Sequence, residues 1–297
     1  MATANGKVIL CGEHAVVYGV PAIAAGIERG ARAQARRADA SRLVLGNDAI
    51  QANDGSDVGK AFGALLATLD ERDVEVRLEV DVPPGCGLGA SAAMAVATAR
   101  AVLELAAEPP SPERVLEAAT AWERVFHGNP SGIDAAAAAA RGCILFSRSE
   151  GARPVKVLEP LVLAVAVAGP PASTKVMVDS VAALKARRPE VVDKALEGIR
   201  SVVSNARLCI EHGDVIGLGR LMDLNQMLLA GLFVSTEEIE NACAIARTAG
   251  ALGAKLTGAG GGGAVIALCE ESADAVLAAW RSAGIECFGT RVRETDR

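Results

Sequence analysis

Aromatic side chains are scarce in this sequence. Only 3% of its 297 residues are Phe, Trp or Tyr, whereas 51% are hydrophobic. The core must therefore consist of small aliphatic side chains, which allow helices and strands to pack with closely spaced backbones. A layered α/β structure fits this composition, and the chain is long enough for two closely joined lobes.

An excess of positive charge is also missing. The chain has 30 basic and 36 acidic residues, which gives a formal net charge of −6. A protein that neutralises a nucleic-acid backbone needs a basic surface, because binding replaces the counterions of the phosphates. We therefore expect no nucleic acid partner.

Long apolar runs and metal-binding patterns are absent as well. Polar residues interrupt every apolar stretch before about 18 positions accumulate, and the first residues lack a basic region followed by an apolar one, so we expect a cytoplasmic protein without membrane attachment. The seven cysteines form no CxxC pair, and the chain has three histidines. We expect reduced cysteines and no zinc site.

Hydrophobic patterning and turn residues predict an alternation of strands and helices. Strands are predicted at 7–11, 20–27, 31–38, 42–45, 74–82, 143–146, 161–168, 254–257, 264–269 and 286–293. Helices are predicted at 91–105, 111–126, 134–141, 174–187, 190–212, 215–232, 237–248 and 273–283.

Glycine is abundant, and a first glycine-rich turn runs from Pro83 to Ala93 (PPGCGLGASAA), between a strand and a helix. Glycines let the backbone approach an anion, and the start of the helix offers unpaired N–H groups and a positive dipole end. The turn therefore predicts a phosphate-binding loop. A tight structural connection stays open, as does the dinucleotide pattern GxGxx(G/A) of Gly85, Gly87 and Ala90, which would indicate an oxidoreductase.

Two carboxylates flank the polar segment HGNPSG. Glu123 lies late on one predicted helix, and Asp134 opens the next one. Such a pair suits phosphoryl transfer, in which one carboxylate holds Mg²⁺ and the other takes the proton of a hydroxyl group. The structural alternatives are an N-cap for Asp134 and an ordinary exposed helical residue for Glu123.

Two further segments combine glycine or charge with apolar strands. The run KLTGAGGGG, residues 255–263, has four consecutive glycines, each costing about 0.5–1 kcal/mol against Ala in regular structure. We interpret this run as backbone that passes close to a ligand. The segment KVILCGEHAVVYG, residues 7–19, places charged residues at both ends of a buried strand, where they either line a cleft or form a solvated strand end and a turn.

Taken together and in this order, these segments resemble the three motifs of the GHMP kinases. The segment KVILCGEHAVVYG is similar to the first motif of the mevalonate kinases within that family. The loop PPGCGLGASAA resembles the phosphate loop, and KLTGAGGGG resembles the third motif. FHGNPSGID, the tripeptide Ser173–Lys175 and the stretch 222–236 are similar to mevalonate kinases too, so the resemblance covers most of the chain.

The resemblance implies a two-lobed α/β fold of the α+β type, with mixed sheets and an active site in the cleft between the lobes. We place the lobes at 1–156 and 157–297. The implied activity is ATP-dependent phosphorylation of mevalonate to 5-phosphomevalonate with Mg²⁺, and a homodimer is the assembly that we expect. The alternatives are another GHMP kinase, such as a phosphomevalonate kinase, and a non-catalytic ATP-binding regulatory module.

The resemblance also implies roles for individual residues. Asp134 would be the catalytic base with Lys7 beside it, and Ser91 and Glu123 would hold Mg²⁺. The residues implied to bind the nucleotide phosphates are Pro84, Gly85, Gly87, Leu88, Gly89, Ala90, Ser91 and Ala92. The residues implied to contact the acceptor are Glu13, His14, Thr174 and Gly260.

One position departs from the family pattern. Ala90 stands where these kinases usually have the first of two serines, and Ser91 is the second. If Ser91 holds the metal, activity survives and one phosphate hydrogen bond is lost, a net effect of about 0.5–1.5 kcal/mol. If the first hydroxyl were essential, the protein would bind ATP without turnover.

Overall fold

Strands and helices alternate along the chain in the computed structural model, which describes residues 1–128, 130–140, 142–170 and 172–293. The strands are β1 (Ala2–Cys11), β2 (Ala22–Arg37), β3 (Arg42–Leu45), β4 (Asp48–Gln51), β5 (Val74–Val80), β6 (Cys143–Ser147), β7 (Gly151–Val155), β8 (Leu161–Gly169), β9 (Gly253–Thr257), β10 (Gly263–Cys269) and β11 (Cys287–Val292). The α-helices are α1 (Asp57–Leu69), α2 (Ala90–Leu105), α3 (Pro112–His127), α4 (Ile133–Ala139), α5 (Thr174–Arg187), α6 (Pro189–His212), α7 (Val215–Gly231), α8 (Glu237–Thr248) and α9 (Asp274–Ser282). A short 3₁₀ helix spans Ala15–Tyr18.

The chain forms two compact units that are interleaved in sequence. The first unit comprises Met1–Gly6, Arg29–Pro84 and Gly89–Ala140. The second unit comprises Lys7–Glu28, Gly85–Leu88 and Arg141–Arg297. β1 and β2 therefore each contribute residues to both units. The boundary between consecutive lobes at residues 156 and 157 stays a prediction.

A mixed sheet organises the first unit. The second half of β2 pairs antiparallel with β5, β5 pairs parallel with β3, and β3 pairs antiparallel with β4. α2 packs on β5 and also contacts α1, α3 and α4. The core between them consists largely of Ala, Val and Leu side chains, with Phe62 and Trp122 as the large members. The prediction of a core built from small aliphatic side chains is confirmed for this unit.

An antiparallel sheet in the order β11, β8, β10, β9 organises the second unit. The predicted apolar strand at 161–168 is its β8, which pairs on both sides and is buried over most of its length. α7 and α8 pack against β9, and α9 packs against β11. The first half of β2 pairs with β6, and β6 pairs with β7. The α/β class with mixed sheets is thus confirmed.

The structure corrects several boundaries. β2 is one strand of 16 residues where two strands were predicted. At Gly30, within β2, a Cβ atom would lie 1.9 Å from the Ala4 carbonyl oxygen, so the absence of a side chain lets β2 continue against β1. α1, β4 and β7 occur where no element was predicted, and Arg141, the end predicted for α4, lies outside the described residues. Within the described part of the chain, no helix is both long and apolar enough to cross a membrane.

Candidate active site

The first unit places a hydroxyl group and a carboxylate side by side. α2 begins after Gly89, whose φ of 77° is in the left-handed region, so Ser91 lies in the first turn of the helix. Ser91 Oγ donates a hydrogen bond to Glu123 Oε1 over 2.5 Å. Glu123 is only 3% exposed, which corrects the alternative that it is an ordinary exposed helical residue. The structure therefore brings together the two residues predicted to hold Mg²⁺.

The donor set of this pair fits magnesium. Carboxylate and hydroxyl oxygens are hard ligands, and Mg²⁺ in kinase sites is usually bound by one or two protein groups, with phosphates and water completing its shell. No group of three or more His, Cys, Asp and Glu side chains placed to hold a metal occurs in residues 1–128, 130–140, 142–170 and 172–293. A hydroxyl group and a carboxylate are as many groups as a nucleotide-bound Mg²⁺ usually takes from the protein, and metal binding by Ser91 and Glu123 stays a prediction.

Asp134 lies in the first turn of α4, but it does not cap that helix. The N-cap residue is Gly132, with φ of 89°, and Asp134 is the second residue of the helix. The alternative that Asp134 is an N-cap is therefore wrong. α4 packs on α2 and α3, the helices that carry Ser91 and Glu123. Asn129 of the predicted motif lies outside the described residues.

The predicted phosphate loop is bent by three glycines. Gly85, Gly87 and Gly89 have φ values of 76°, 79° and 77°, a conformation that side chains disfavour. Within the second unit, the Leu88 carbonyl oxygen accepts a hydrogen bond of 2.8 Å from the Lys7 backbone N–H. Phosphate binding by Pro84 to Ala92 stays a prediction.

In the second unit, Glu13 of the first motif belongs to a buried polar cluster. Lys255 Nζ forms an ion pair with Glu13 Oε1, and both side chains are 0% exposed. Asn225 Nδ2 donates to Glu13 Oε2 over 3.2 Å, so both carboxylate oxygens are engaged. Burial raises the pKa of Glu13, and the Lys255 ammonium acts in the opposite direction. Acceptor contact by Glu13 stays a prediction.

Lys255 and Asn225 were missed as functional candidates, although a sequence signal existed for Lys255. It is a charged residue inside an otherwise apolar strand, which in a buried position demands a partner of opposite charge. The partner, Glu13, is 242 positions away in the chain. Only the fold reveals that pair.

His14 links the first motif to the glycine-rich run. Its φ of 58° is unusual for a residue with a side chain, and such strain persists only where the surroundings hold it. Nε2 donates to the Ala259 carbonyl oxygen over 2.7 Å. Burial lowers the pKa of His14, so the imidazole is neutral at pH 7. Gly260, the next residue in the run, is buried, whereas Thr174 is exposed at the start of α5.

The glycine run 258–263 is explained by close contacts within the protein. A Cβ atom at Gly260 would lie 2.2 Å from the Val234 carbonyl oxygen, and one at Gly263 would lie 3.1 Å from the Cys86 carbonyl oxygen. Both residues also have positive φ. The backbone of the second unit therefore requires these glycines, and passage beside a ligand is not needed to account for them.

Two protein-family models match this chain. Residues 56–142 match the family model "GHMP kinases N terminal domain", and residues 206–286 match "GHMP kinases C terminal". Together the two models cover more than half of the chain.

Relatives named mevalonate kinase align along nearly the whole chain. The one from Pyrococcus horikoshii is 35% identical, with 100% of this chain and 98% of the relative covered. The one from Aeropyrum pernix is 34% identical, with 91% and 88% covered.

Solved structures give the same result. The crystal structure of L. major mevalonate kinase in complex with R-mevalonate has a TM-score of 0.90 at 32% identity, with 99% of this chain and 96% of that chain covered. The Methanococcus jannaschii mevalonate kinase has a TM-score of 0.86 at 26% identity, with 99% and 98% covered. The chain therefore belongs to the GHMP kinases, a family of ATP-dependent kinases.

Proposed function

We propose that this protein transfers the γ-phosphoryl group of ATP to the 5-hydroxyl group of mevalonate, which yields ADP and 5-phosphomevalonate. The observation that carries the proposal is the end-to-end similarity to proteins named mevalonate kinase, at 35% identity for the P. horikoshii relative. A phosphomevalonate kinase from Streptococcus pneumoniae, at 20% identity, shares the fold alone.

Ser91 and Glu123 would hold Mg²⁺ in this reaction. When bound there, Mg²⁺ would neutralise charge on the β- and γ-phosphates of ATP. The start of α2, with Ala90, Ser91 and Ala92 in its first turn, presents backbone N–H groups at the positive end of the helix dipole. These groups would bind phosphate oxygens together with the backbone of Pro84 to Gly89.

Asp134 would act as the catalytic base. Its carboxylate takes the proton of the acceptor hydroxyl as the oxygen forms a bond to the γ-phosphorus, and the bond from that phosphorus to the bridging oxygen of ADP breaks. Lys7, which is 3% exposed, would supply a positive charge that stabilises the negative charge on the transferring group.

Four residues are proposed for the acceptor site. Thr174 is exposed and offers a hydroxyl group, whereas Glu13, His14 and Gly260 are buried. In this proposal Glu13, His14 and Gly260 form the wall of the acceptor site. The ion pair between Glu13 and Lys255 and the hydrogen bond from His14 to the Ala259 carbonyl oxygen stabilise that wall. A cytoplasmic location and a homodimer remain parts of the proposal, and light scattering measures the assembly.

A coupled assay of ADP release tests the proposal. ATP and Mg²⁺ are supplied with mevalonate, phosphomevalonate, galactose or homoserine, and kcat/KM is compared among the acceptors. The highest value is expected with mevalonate. Turnover with another acceptor and none with mevalonate would show that the other acceptor is the substrate. Binding of ATP without ADP formation from any acceptor would favour a regulatory module, and binding of NAD in place of ATP would favour an oxidoreductase.

A further inference from the structure

The hydroxyl group of Ser91 has a second partner besides Glu123. Trp122 Nε1 donates a hydrogen bond to Ser91 Oγ over 3.2 Å. We propose that Trp122 is a positioning residue, which fixes the direction in which Ser91 presents its oxygen to Mg²⁺. The inference rests on the proposed function, because it assumes that Ser91 and Glu123 hold the metal.

The hydrogen-bonding capacity of a serine hydroxyl supports this role. The group has one hydrogen and two lone pairs. The hydrogen of Ser91 points to Glu123 Oε1, and the indole N–H occupies one lone pair. A single lone pair is left for a cation. Without the indole donor, two directions would be open to the oxygen, and the metal would have to select one of them on binding.

The indole is held rigidly enough to set that direction. Trp122 is 0% exposed, and its ring packs against Phe126 with 6.3 Å between the ring centroids. α3, which carries Trp122, packs along α2, which carries Ser91. The donor is therefore in place before a metal arrives, which lowers the cost of ordering the site. An indole N–H cannot accept, so it does not compete with Ser91 as a ligand.

The two partners of Ser91 are consecutive residues on α3. Neighbouring helical residues project about 100° apart. The side chains of Trp122 and Glu123 nevertheless converge on Ser91 Oγ, to which the indole donates and from which the carboxylate accepts. With both partners in place, a single lone pair of that oxygen is left for the metal.

Replacement of Trp122 by Phe tests the inference, because Trp122→Phe keeps an aromatic ring and removes the N–H group. Electron paramagnetic resonance of Mn²⁺ measures its dissociation constant in the presence of the protein and ADP, without any turnover. The loss of one hydrogen bond predicts Mn²⁺ binding that is about two- to tenfold weaker. In a Ser91→Ala background, Trp122→Phe should cause no further loss, because the group through which it acts is gone.

Trp280→Phe is the matched control. Trp280 is also 0% exposed, and its Nε1 donates to the Ala242 carbonyl oxygen over 2.9 Å in the second unit. This variant loses a comparable buried hydrogen bond, so its stability should fall, but its Mn²⁺ affinity should match the wild type. The inference is overturned if Trp122→Phe binds Mn²⁺ as the wild type does, or if its effect persists unchanged in the Ser91→Ala background.

A fluorescence measurement covers the case in which Trp122→Phe does not fold. The chain has two tryptophans, so the Trp280→Phe protein reports on Trp122 alone. Mg²⁺ with ADP should change its emission, and ADP with EDTA should not. Equal emission in both conditions overturns the inference. If Trp122→Phe weakens Mn²⁺ binding in a protein that does not phosphorylate mevalonate, the proposed function fails while the role of Trp122 stands.

Discussion

Asp134 owes its position to the glycine that precedes its helix. Gly132 adopts a left-handed conformation and serves as the N-cap, so the carboxylate is placed inside the first turn of α4. A capping Asp accepts from the N–H groups of its own helix, whereas Asp134 lies two positions after the N-cap. The first turn also favours negative charge through the helix dipole. Gly132 therefore determines where on α4 the Asp134 carboxylate lies.

We predict that Asp134→Asn lowers kcat with mevalonate by about 10²–10⁴, because the amide keeps the shape of the side chain but cannot take the hydroxyl proton. The dissociation constant of ATP, measured by calorimetry, should stay unchanged. Asp57→Asn is the matched control, since Asp57 also lies in the first turn of a helix but is exposed on α1. Unchanged turnover in Asp134→Asn would remove it as the base.

At the residue scale, motifs predicted which side chains of the site lie together but not the residues that contact them. Ser91 and Glu123 were predicted as a pair, and the structure brings them together. The sequence gives no signal for the proposed role of Trp122, because an aromatic residue on an amphipathic helix is expected to pack in the core. The contacts of Lys255 could not be predicted either, since they join segments that are remote in sequence.

Among the elements, the glycine-rich run following β9 shows how local conformation and packing act together. Gly260 has φ of 76°, and a Cβ atom there would lie 2.2 Å from the carbonyl oxygen of Val234, which lies between α7 and α8. Gly250, which follows α8, has φ of 96° but open space around its Cα. Both positions therefore require a left-handed backbone conformation, but only Gly260 also lacks space for a side chain.

This difference predicts unequal effects of an added methyl group. Gly250→Ala should lower the free energy of unfolding by about 1–2 kcal/mol, which is the cost of a left-handed residue with a side chain. Gly260→Ala should cost about 1–3 kcal/mol more, because the methyl group must displace backbone. Urea unfolding of both variants measures the difference. Equal losses would show that the contact with Val234 contributes nothing.

Helix boundaries were predicted well where capping chemistry is explicit. Ser111 caps α3 by accepting from the Arg114 N–H, and Pro112 is the first helical residue, as predicted. The predicted bounds of α5 and α8 agree with the structure. The prediction failed for β2, which continues through Gly30 because pairing partners outside the local sequence extend it. Tertiary pairing thus overrides local signals in strands more than in helices.

At the scale of the whole molecule, the compact units are assembled from segments that alternate along the chain. Residues 7–28 and 85–88 belong to the second unit, although the sequence around them belongs to the first. Pairing of β2 with β6 joins residues near 24 to residues near 144. Local composition cannot predict such a division, because it depends on which distant strands pair. Motif order, in contrast, predicted the family and the mixed α/β fold.

The buried ion pair of Lys255 and Glu13 makes the stability of the molecule sensitive to a single charge. Lys255→Met leaves the Glu13 carboxylate buried without its cation, and breaking such a pair costs about 3–5 kcal/mol. The double variant Lys255→Met with Glu13→Leu should recover most of that loss, since no charge remains to be buried. Lys60→Met is the control, because its pair with Asp57 is exposed at 3.8 Å and such pairs contribute about 0–1 kcal/mol.

The pH dependence of the stability of Lys255→Met shows whether the unpaired Glu13 carboxylate or lost packing causes its destabilisation. Burial raises the pKa of Glu13 above 4.5, and Lys255 is the largest influence that lowers it, so removing Lys255 raises that pKa further. An acid whose pKa is raised in the folded state binds its proton more readily there than in the unfolded chain. Protonation of such an acid therefore stabilises the folded protein. This stabilisation is complete below the pKa of the unfolded state and is lost as the pH rises through the pKa of the folded state. The deficit of Lys255→Met relative to wild type should therefore shrink when urea unfolding is repeated at pH 5.5 in place of pH 8. A deficit that is the same at both pH values would mean that lost packing around the lysine stem, and not the unpaired carboxylate, causes the destabilisation.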